Sequence, residues 1–186
     1  MEDKALETLR LFLQRRGLDT TTSRVVTEDI ERVNLYTIGS ILIVFSQKDK
    51  GLMDRDIRNY VKFATENGHT NGIIIVGLAK PSDNVLRVIK SFAKERLQFF
   101  WIWELQTDRT QHRYYLPHRI LNEDERKAVV TTYKLKDPTQ LPSIDSQDYP
   151  VRVIGAIPGD ILEIQRKTEV GPTRYYRYCV EDTNVA

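Results

Sequence analysis

Apolar residues recur at helical spacing near the start of the chain, at Leu6, Leu9 and Leu13 with Phe12 alongside. Glu2 and Asp3 precede them and Arg15 and Arg16 follow, the order a helix dipole favours. With Gly17 as a C-cap, the spacing predicts a helix over residues 3–16 and a loop at Thr20-Thr21-Thr22-Ser23. The period then shortens. Residues 33–38 and 41–45 flank Gly39-Ser40, a pair suited to a type II′ turn and therefore to a β-hairpin. The second run is apolar on both faces, as a central strand requires. Helical spacing returns over 54–67, with Asp54 as N-cap, Ile57, Tyr60, Val61 and Ala64 inward, and Gly68 closing the helix. Residues 73–76 form a short apolar run. Lys80-Pro81-Ser82-Asp83 is a turn opening a helix with Val85, Ile89, Phe92 and Ala93 on its inner stripe. Residues 99–103 are a third strand-like run. Residues 1–108 thus read as an α/β domain, with helices around a small, mostly buried sheet.

The pattern changes at the polar stretch 106–111. Beyond it come Leu116-Pro117-His118-Arg119-Ile120 and Asn122-Glu123-Asp124-Glu125, a capping-box variant that starts a helix running to about Tyr133. Asp137-Pro138 ends it, and residues 141–144 are extended. A helical turn is expected over 151–154, then a turn at Ile157-Pro158-Gly159-Asp160. Strands follow over 161–166 and 174–180, with Gly171-Pro172 between them. Residues 109–186 read as a small α+β domain.

Composition narrows the function more than the fold. The 186 residues are 40% hydrophobic and 29% charged, enough to bury a core without metals or disulfides. The net charge of +2 excludes a bulk polycation that coats nucleic acid. The single cysteine, Cys179, excludes an intramolecular disulfide and a Cys₂His₂ or Cys₄ zinc site, and it fits a reducing compartment. The longest uncharged run, 33–47, falls short of the ~20 apolar residues of a membrane span. Met1-Glu2-Asp3-Lys4 predicts no secretory leader.

Candidate chemistry is sparse. There is no Gly-rich phosphate loop and no G-x-S-x-G elbow, and Gly68 and Gly72 around His69-Thr70-Asn71 read as a loop. His112 and His118 match no helical metal pair, and Tyr178-Cys179-Val180 is a strand context that favours an inert thiol. A metal-dependent nuclease needs acids on a central strand beside an (Asp/Glu)-x-Lys. The E-x-K at Glu2-Asp3-Lys4 is terminal, and residues 41–45 and 73–76 carry no acids. No cofactor is expected. Arg55, Arg58 and Lys62 share one helix face and Arg87, Lys90 and Lys94 another. They either touch a phosphate backbone or form ordinary solvated faces. Trp101, Trp103, Tyr175, Tyr176 and Tyr178 either stack on bases or build sheet core and protein interface. The residues alone indicate a non-catalytic, two-domain binding protein.

One segment is more specific. Leu141-Pro142-Ser143-Ile144, Asp148-Tyr149-Pro150-Val151, the run from Ile154-Gly155-Ala156-Ile157-Pro158-Gly159-Asp160 to Arg166-Lys167, and Arg174-Tyr175-Tyr176-Arg177-Tyr178 follow in order. This segment resembles the assembly domain of the fifth subunit of eukaryotic RNA polymerases and its smaller archaeal counterpart. Leu116 to Leu121 and Tyr133-Lys134-Leu135 fit the same pattern. The first half more loosely resembles the eukaryotic "jaw" domain, with Lys80-Pro81-Ser82 in place of its Thr-Pro-Ser turn. A family loop run is replaced by Arg166-Lys167-Thr168-Glu169-Val170-Gly171-Pro172-Thr173, the mark of a divergent copy, cellular or viral.

The resemblance implies a non-catalytic structural subunit of a multisubunit DNA-directed RNA polymerase. It implies a jaw over residues 1–108 and an assembly domain over 109–186. The expected partners are the largest subunit, a small sixth-type subunit and, weakly, downstream duplex DNA, with one copy per complex and no membrane. Expected interface residues are Pro117, His118, Pro142, Ile144, Pro150 and Gly155, with Pro158, Gly159, Asp160, Arg166, Arg174 and Tyr176. Pro81, Ser82 and the two basic faces are placed toward DNA or the largest subunit. The site of action would be the nucleus for a cellular copy, and the virion or cytoplasmic viral factory for a viral one. A free-standing nucleic-acid-binding adaptor and a metal-dependent nuclease are the alternative readings.

Overall fold

The computed structural model describes residues 1–27, 30–48, 51–69, 71–168 and 171–182. Thr70 of the expected 69–71 loop and Glu169-Val170 of the replaced run lie outside the described residues. The chain divides into two compact units, 1–109 and 110–186.

The first unit is a five-stranded sheet in the order β1-β2-β3-β4-β5, formed by β1 (Thr22–Val25), β2 (Val33–Ile38), β3 (Ile41–Ser46), β4 (Ile73–Gly77) and β5 (Leu97–Trp101). β1 to β3 are antiparallel and β3 to β5 parallel. The parallel connections run through α2 (Asp54–Glu66) and α3 (Asp83–Ser91). Every residue of β3 and β4 is buried, because helices cover both faces. Leu42, Val44, Ile73, Ile75, Leu97 and Phe99 pack against Ile57, Tyr60 and Phe63 of α2 and Val85 and Ile89 of α3.

The opposite face meets α1 (Glu2–Arg15). The Phe12 and Phe100 rings lie 6.2 Å apart, Arg16 donates to Gln98 at 3.0 Å, and Asn34 donates to Glu2 at 3.0 Å. At the β2–β3 turn, Gly39 has φ +56°, and a Cβ there would meet the Asp19 carbonyl oxygen at 2.6 Å. Glycine is therefore required twice over, for the turn and for the close approach.

Several expectations are corrected. The expected loop at 20–23 is partly β1, an exposed edge strand whose polar residues carry no alternation to read. The expected strand 99–103 ends at Trp101. Ile102–Leu105 is a 3₁₀ turn that leaves Trp103 54% exposed. The N-cap of α2 is Met53, one residue early, and Asp56 accepts its backbone N–H at 3.0 Å. Phe63 is buried, whereas Val61 and Phe92 are only partly so.

The second unit is a four-stranded sheet in the order β6-β8-β9-β7: β6 (His118–Ile120), β7 (Ser143–Asp145), β8 (Ile161–Thr168) and β9 (Gly171–Val180). α4 (Glu123–Thr132) and α5 (Tyr149–Ile154) supply two separate small cores. One joins Leu121, Val129, Leu141 and Ile161, and the other Ile144, Val151, Ala156, Leu162 and Cys179. The capping box forms: Glu125 N–H donates to Asn122 Oδ1 at 2.9 Å, and Asn122 N–H to Glu125 Oε2 at 3.0 Å. Gly155 ends α5 at φ 76°, ψ 25°. Gly171-Pro172, expected between the strands, is the start of β9. Both strands extend into one long hairpin, and Pro is tolerated there at a strand's beginning.

Candidate functional site

Strand alternation in the second unit sorts its polar residues onto two faces. Arg119 of β6, Glu163 of β8 and Tyr176 of β9 pair across the strands and share a face, and Arg174 lies two residues before Tyr176. Glu163 is 2% exposed. Arg119 donates to it from Nε at 3.1 Å and Nη2 at 3.0 Å, and from Nη1 to Glu125 at 2.7 and 2.8 Å. Arg174 reaches Glu163 at 3.8 Å.

Burial pushes the Glu163 carboxyl upward, but the hydrogen bonds from Arg119 and Gln165 and the charges of Arg119 and Arg174 outweigh it. The net pKa lies below the usual carboxylate value. Glu125 is lowered by the Asn122 N–H first and by Arg119 second, and both carboxylates in turn raise the Arg119 guanidinium. A cavity of about 280 Å³ opens between this network and α4. Val129 and the aromatic pair Tyr133 and Tyr176, 5.8 Å apart edge to face, lie along it. Composition offered no sign that Arg119 and Glu163 meet. The signal is the strand register, which a single sequence does not print; only Glu125 was reachable, through its capping motif.

The expected interface residues fall into three groups. Arg174 and Tyr176 lie on this face. His118 and exposed Arg166 lie on the opposite one, by register with Ile164 and Thr173. His118 is half-buried with Nδ1 2.6 Å from the Leu116 carbonyl; burial lowers its pKa despite that carbonyl and Asp148, with Arg177 adding to the lowering. Exposed Pro117 and Pro142 flank the strands, their carbonyls accepting from Gln165 N–H and Tyr178 N–H at 3.0 Å each.

The third group is structural in its contacts. Ile144 is 7% exposed, in the core with Cys179, which removes its side chain from the surface. Pro150 sits in the first turn of α5 and Gly155 caps it. In the turn Pro158-Gly159-Asp160, Gly159 N–H donates to the Cys179 carbonyl at 2.9 Å, Asp160 Oδ2 accepts from Ile157 N–H at 2.8 Å, and Cys179 N–H donates to the Asp160 carbonyl at 2.8 Å. Burial, with Asp160, Asp145 and Asp148 nearby, pushes the Cys179 thiol up to about 12, so it is inert.

In the first unit, Arg55, Arg58 and Lys62 are exposed on α2. Arg58 pairs with Asp54 at 3.1 Å and stands 5.9 Å from the Phe92 ring centroid, and Lys62 pairs with Glu66 at 3.7 Å. Arg87 and Lys94 are exposed, but Lys90 is 7% exposed, so the three do not form one solvated stripe. Lys94 lies beyond the end of α3. Ser82 is the exposed N-cap of α3 and Pro81 is half-buried. Beside them Lys80 Nζ stands 5.1 Å from the Trp101 ring centroid, and Trp101 Nε1 donates to the Leu78 carbonyl at 3.0 Å. Among the described residues no three His, Cys, Asp or Glu side chains are grouped to hold a metal ion, and no helix is long and apolar enough to cross a membrane.

Comparison with known proteins concerns the second unit. The family model "RNA polymerase Rpb5, C-terminal domain" matches residues 107–179. A DNA-directed RNA polymerase subunit Rpo5 of Pyrococcus abyssi is 50% identical over 66 residues, 35% of this chain and 79% of that protein. The Rpo5 of Thermococcus onnurineus is 44% identical over 72 residues, 38% of this chain and 87% of its own. That of Methanosarcina mazei is 40% identical over 65 residues, 34% and 82% respectively.

Proposed function

The chain belongs to the Rpb5/Rpo5 family of RNA polymerase subunits, and on that premise we propose that it is a non-catalytic structural subunit of a multisubunit DNA-directed RNA polymerase. The observation that carries this reading is the similarity to whole proteins named as polymerase subunits, 79% and 87% of whose length is covered, beside the family-model match over 107–179. In this reading residues 109–186 are the assembly domain, docked on the largest subunit beside a small sixth-type subunit, with one copy per enzyme. Residues 1–108 are the jaw, directed toward downstream duplex DNA. Its place of work is that of its enzyme: the nucleus for a cellular polymerase, the virion or viral factory for a viral one.

The chemistry of both units supports a binding role. In the second unit Arg119, Glu163 and Glu125 are tied to one another, which positions a surface rather than a reacting group. The first unit presents exposed Arg55, Arg58, Lys62, Arg87 and Lys94, whose contact with a phosphate backbone is sequence-independent. The test is affinity purification of the tagged full chain from its own cells, with identification of what accompanies it. Co-purification of the largest polymerase subunit in equal amount is expected. Recovery of the chain alone while the polymerase is intact overturns the reading.

A further inference from the structure

β9 is longer than its partners. Ser143, Ile144 and Asp145 of β7 pair with Tyr178, Cys179 and Val180, so the outer part of β9 pairs with β8 on one side and with no strand on the other among the described residues. Parity shows which backbone groups face that open side. Tyr178 N–H donates toward the β7 segment, to the Pro142 carbonyl at 3.0 Å, whereas Cys179 N–H donates at 2.8 Å to Asp160, at the start of β8. Tyr176 and Arg174, two and four residues before Tyr178, therefore direct their amides and carbonyls outward. Pro172 shares that parity but has no N–H, so it bounds the open ladder.

The flanks of this edge are cationic. Arg166, Lys167 and Arg174 are exposed, and Arg177 is held beside β7 by donating to the Ser143 carbonyl at 2.8 Å. No acid lies among the described residues of 164–168 and 171–177; Glu169, between them, is outside the described residues. Glu163 is buried and committed to Arg119. Such an edge repels a second copy of itself, because pairing would set these cations against one another, but it is complementary to an acidic strand.

We infer that the outer edge of β9, from Thr173 to Arg177, takes an extended acidic polypeptide segment as an added strand in line with β7. The backbone of Arg174 and Tyr176 supplies the ladder, and the guanidinium groups on the two faces, Arg174 on one and Arg177 on the other, receive carboxylates from the two faces of the added strand. The inference deepens the subunit reading, which supplies the partner chain, and it names how that partner is held.

The test uses the full chain and two peptides of about ten residues, one repeating Glu-Glu-Val-Val, which sets carboxylates on both faces of a strand, and the other Lys-Lys-Val-Val, with residue-resolved amide exchange as the readout. The acidic peptide slows exchange at Arg174 and Tyr176 by roughly tenfold or more and leaves Tyr175 and Arg177, which face β8, unchanged. The basic peptide slows exchange at none of the four, and Arg174→Gln, which removes the cation without setting a new carboxylate beside Glu163, weakens the acidic peptide's effect several-fold while the unbound alternation along β9 stays as in the parent. Equal protection by both peptides, protection without the alternation, or protection that appears with chain concentration alone overturns the inference. Co-purification with the polymerase is read separately, so loss of the peptide effect with an intact polymerase association defeats the added strand and not the subunit reading.

Discussion

The two units solve the burial of a sheet in different ways. In the first, helices cover both faces of the sheet, β3 and β4 are buried at every position, and the core is continuous aliphatic and aromatic packing from Leu35 to Phe99. In the second, two small clusters flank a sheet whose outer hairpin stands exposed, and a carboxylate at 2% exposure is held in place by an arginine. The first unit depends on volume; the second depends on turns, caps and one charge network. A fold made of aliphatic volume tolerates many sequences, whereas turns and caps demand particular residues. The second unit is the half that carries the family match.

Each unit has its own reporter, which makes the contrast measurable. Both tryptophans, Trp101 and Trp103, lie in the first unit, and the single thiol, Cys179, is buried in the second. The largest effect is expected from Ile75→Ala. Ile75 is fully buried between Val44 and Phe99 in the parallel ladder. Its truncation costs about 3–4 kcal/mol, read as a lower denaturant midpoint by tryptophan fluorescence. A loss under about 1 kcal/mol would mean that the first unit is not held by packing.

Glu163→Gln comes next. It is nearly isosteric, so it removes charge without making a cavity, and it leaves Arg119 with Glu125 alone. A loss of about 1–3 kcal/mol is expected, since Arg119 is 43% exposed and recovers part of its solvation. The readout is the midpoint at which Cys179 becomes reactive to a thiol reagent. An unchanged midpoint would show that the network is ornamental to stability.

Acid probes the same network without mutation. Glu163 and Glu125 have folded pKa values below the ordinary 4.5, so their stabilisation is complete above that value and is lost as pH falls through the lowered folded values. Cys179 unmasking should therefore become easier below about pH 4.5, and the pH-dependent part should be smaller in Glu163→Gln. A pH profile identical in parent and variant would break the assignment to Glu163.

Legibility in the sequence follows the same division. The hairpin at Gly39-Ser40, the apolar strands and the helices were readable because periodicity and turn chemistry are local. The cap at Asn122 was readable for the same reason. β1 was not, because an exposed edge strand of Thr, Ser and Arg alternates nothing. The burial of Lys90 was not, because helical spacing alone placed it with Arg87 and Lys94. The Arg119–Glu163 pair was invisible for a stronger reason: 44 residues separate its members, and only the β6–β8 register unites them. The open edge of β9 is likewise a property of strand lengths compared across a sheet.

The smallest expected effect belongs to the exposed counterpart of that pair. Arg58 and Asp54 lie 3.1 Å apart, as close as Arg119 Nε and Glu163, but their side chains are 59% and 52% exposed. Water already solvates both charges, and holding two long side chains together costs entropy, so Arg58→Gln should change stability by no more than about 0.5 kcal/mol. That near-silence makes the position useful. Arg58→Gln combined with Arg55→Gln and Lys62→Gln removes three cations from one face of α2 while leaving the fold reporters where they were. If this face meets a phosphate backbone inside the polymerase, the assembled enzyme should lose salt dependence of DNA binding in proportion to the contacts removed, by about one unit of log–log slope for each. An unchanged slope at unchanged stability would assign this face of α2 to solvent and leave any phosphate contact of the first unit to Arg87 and Lys94.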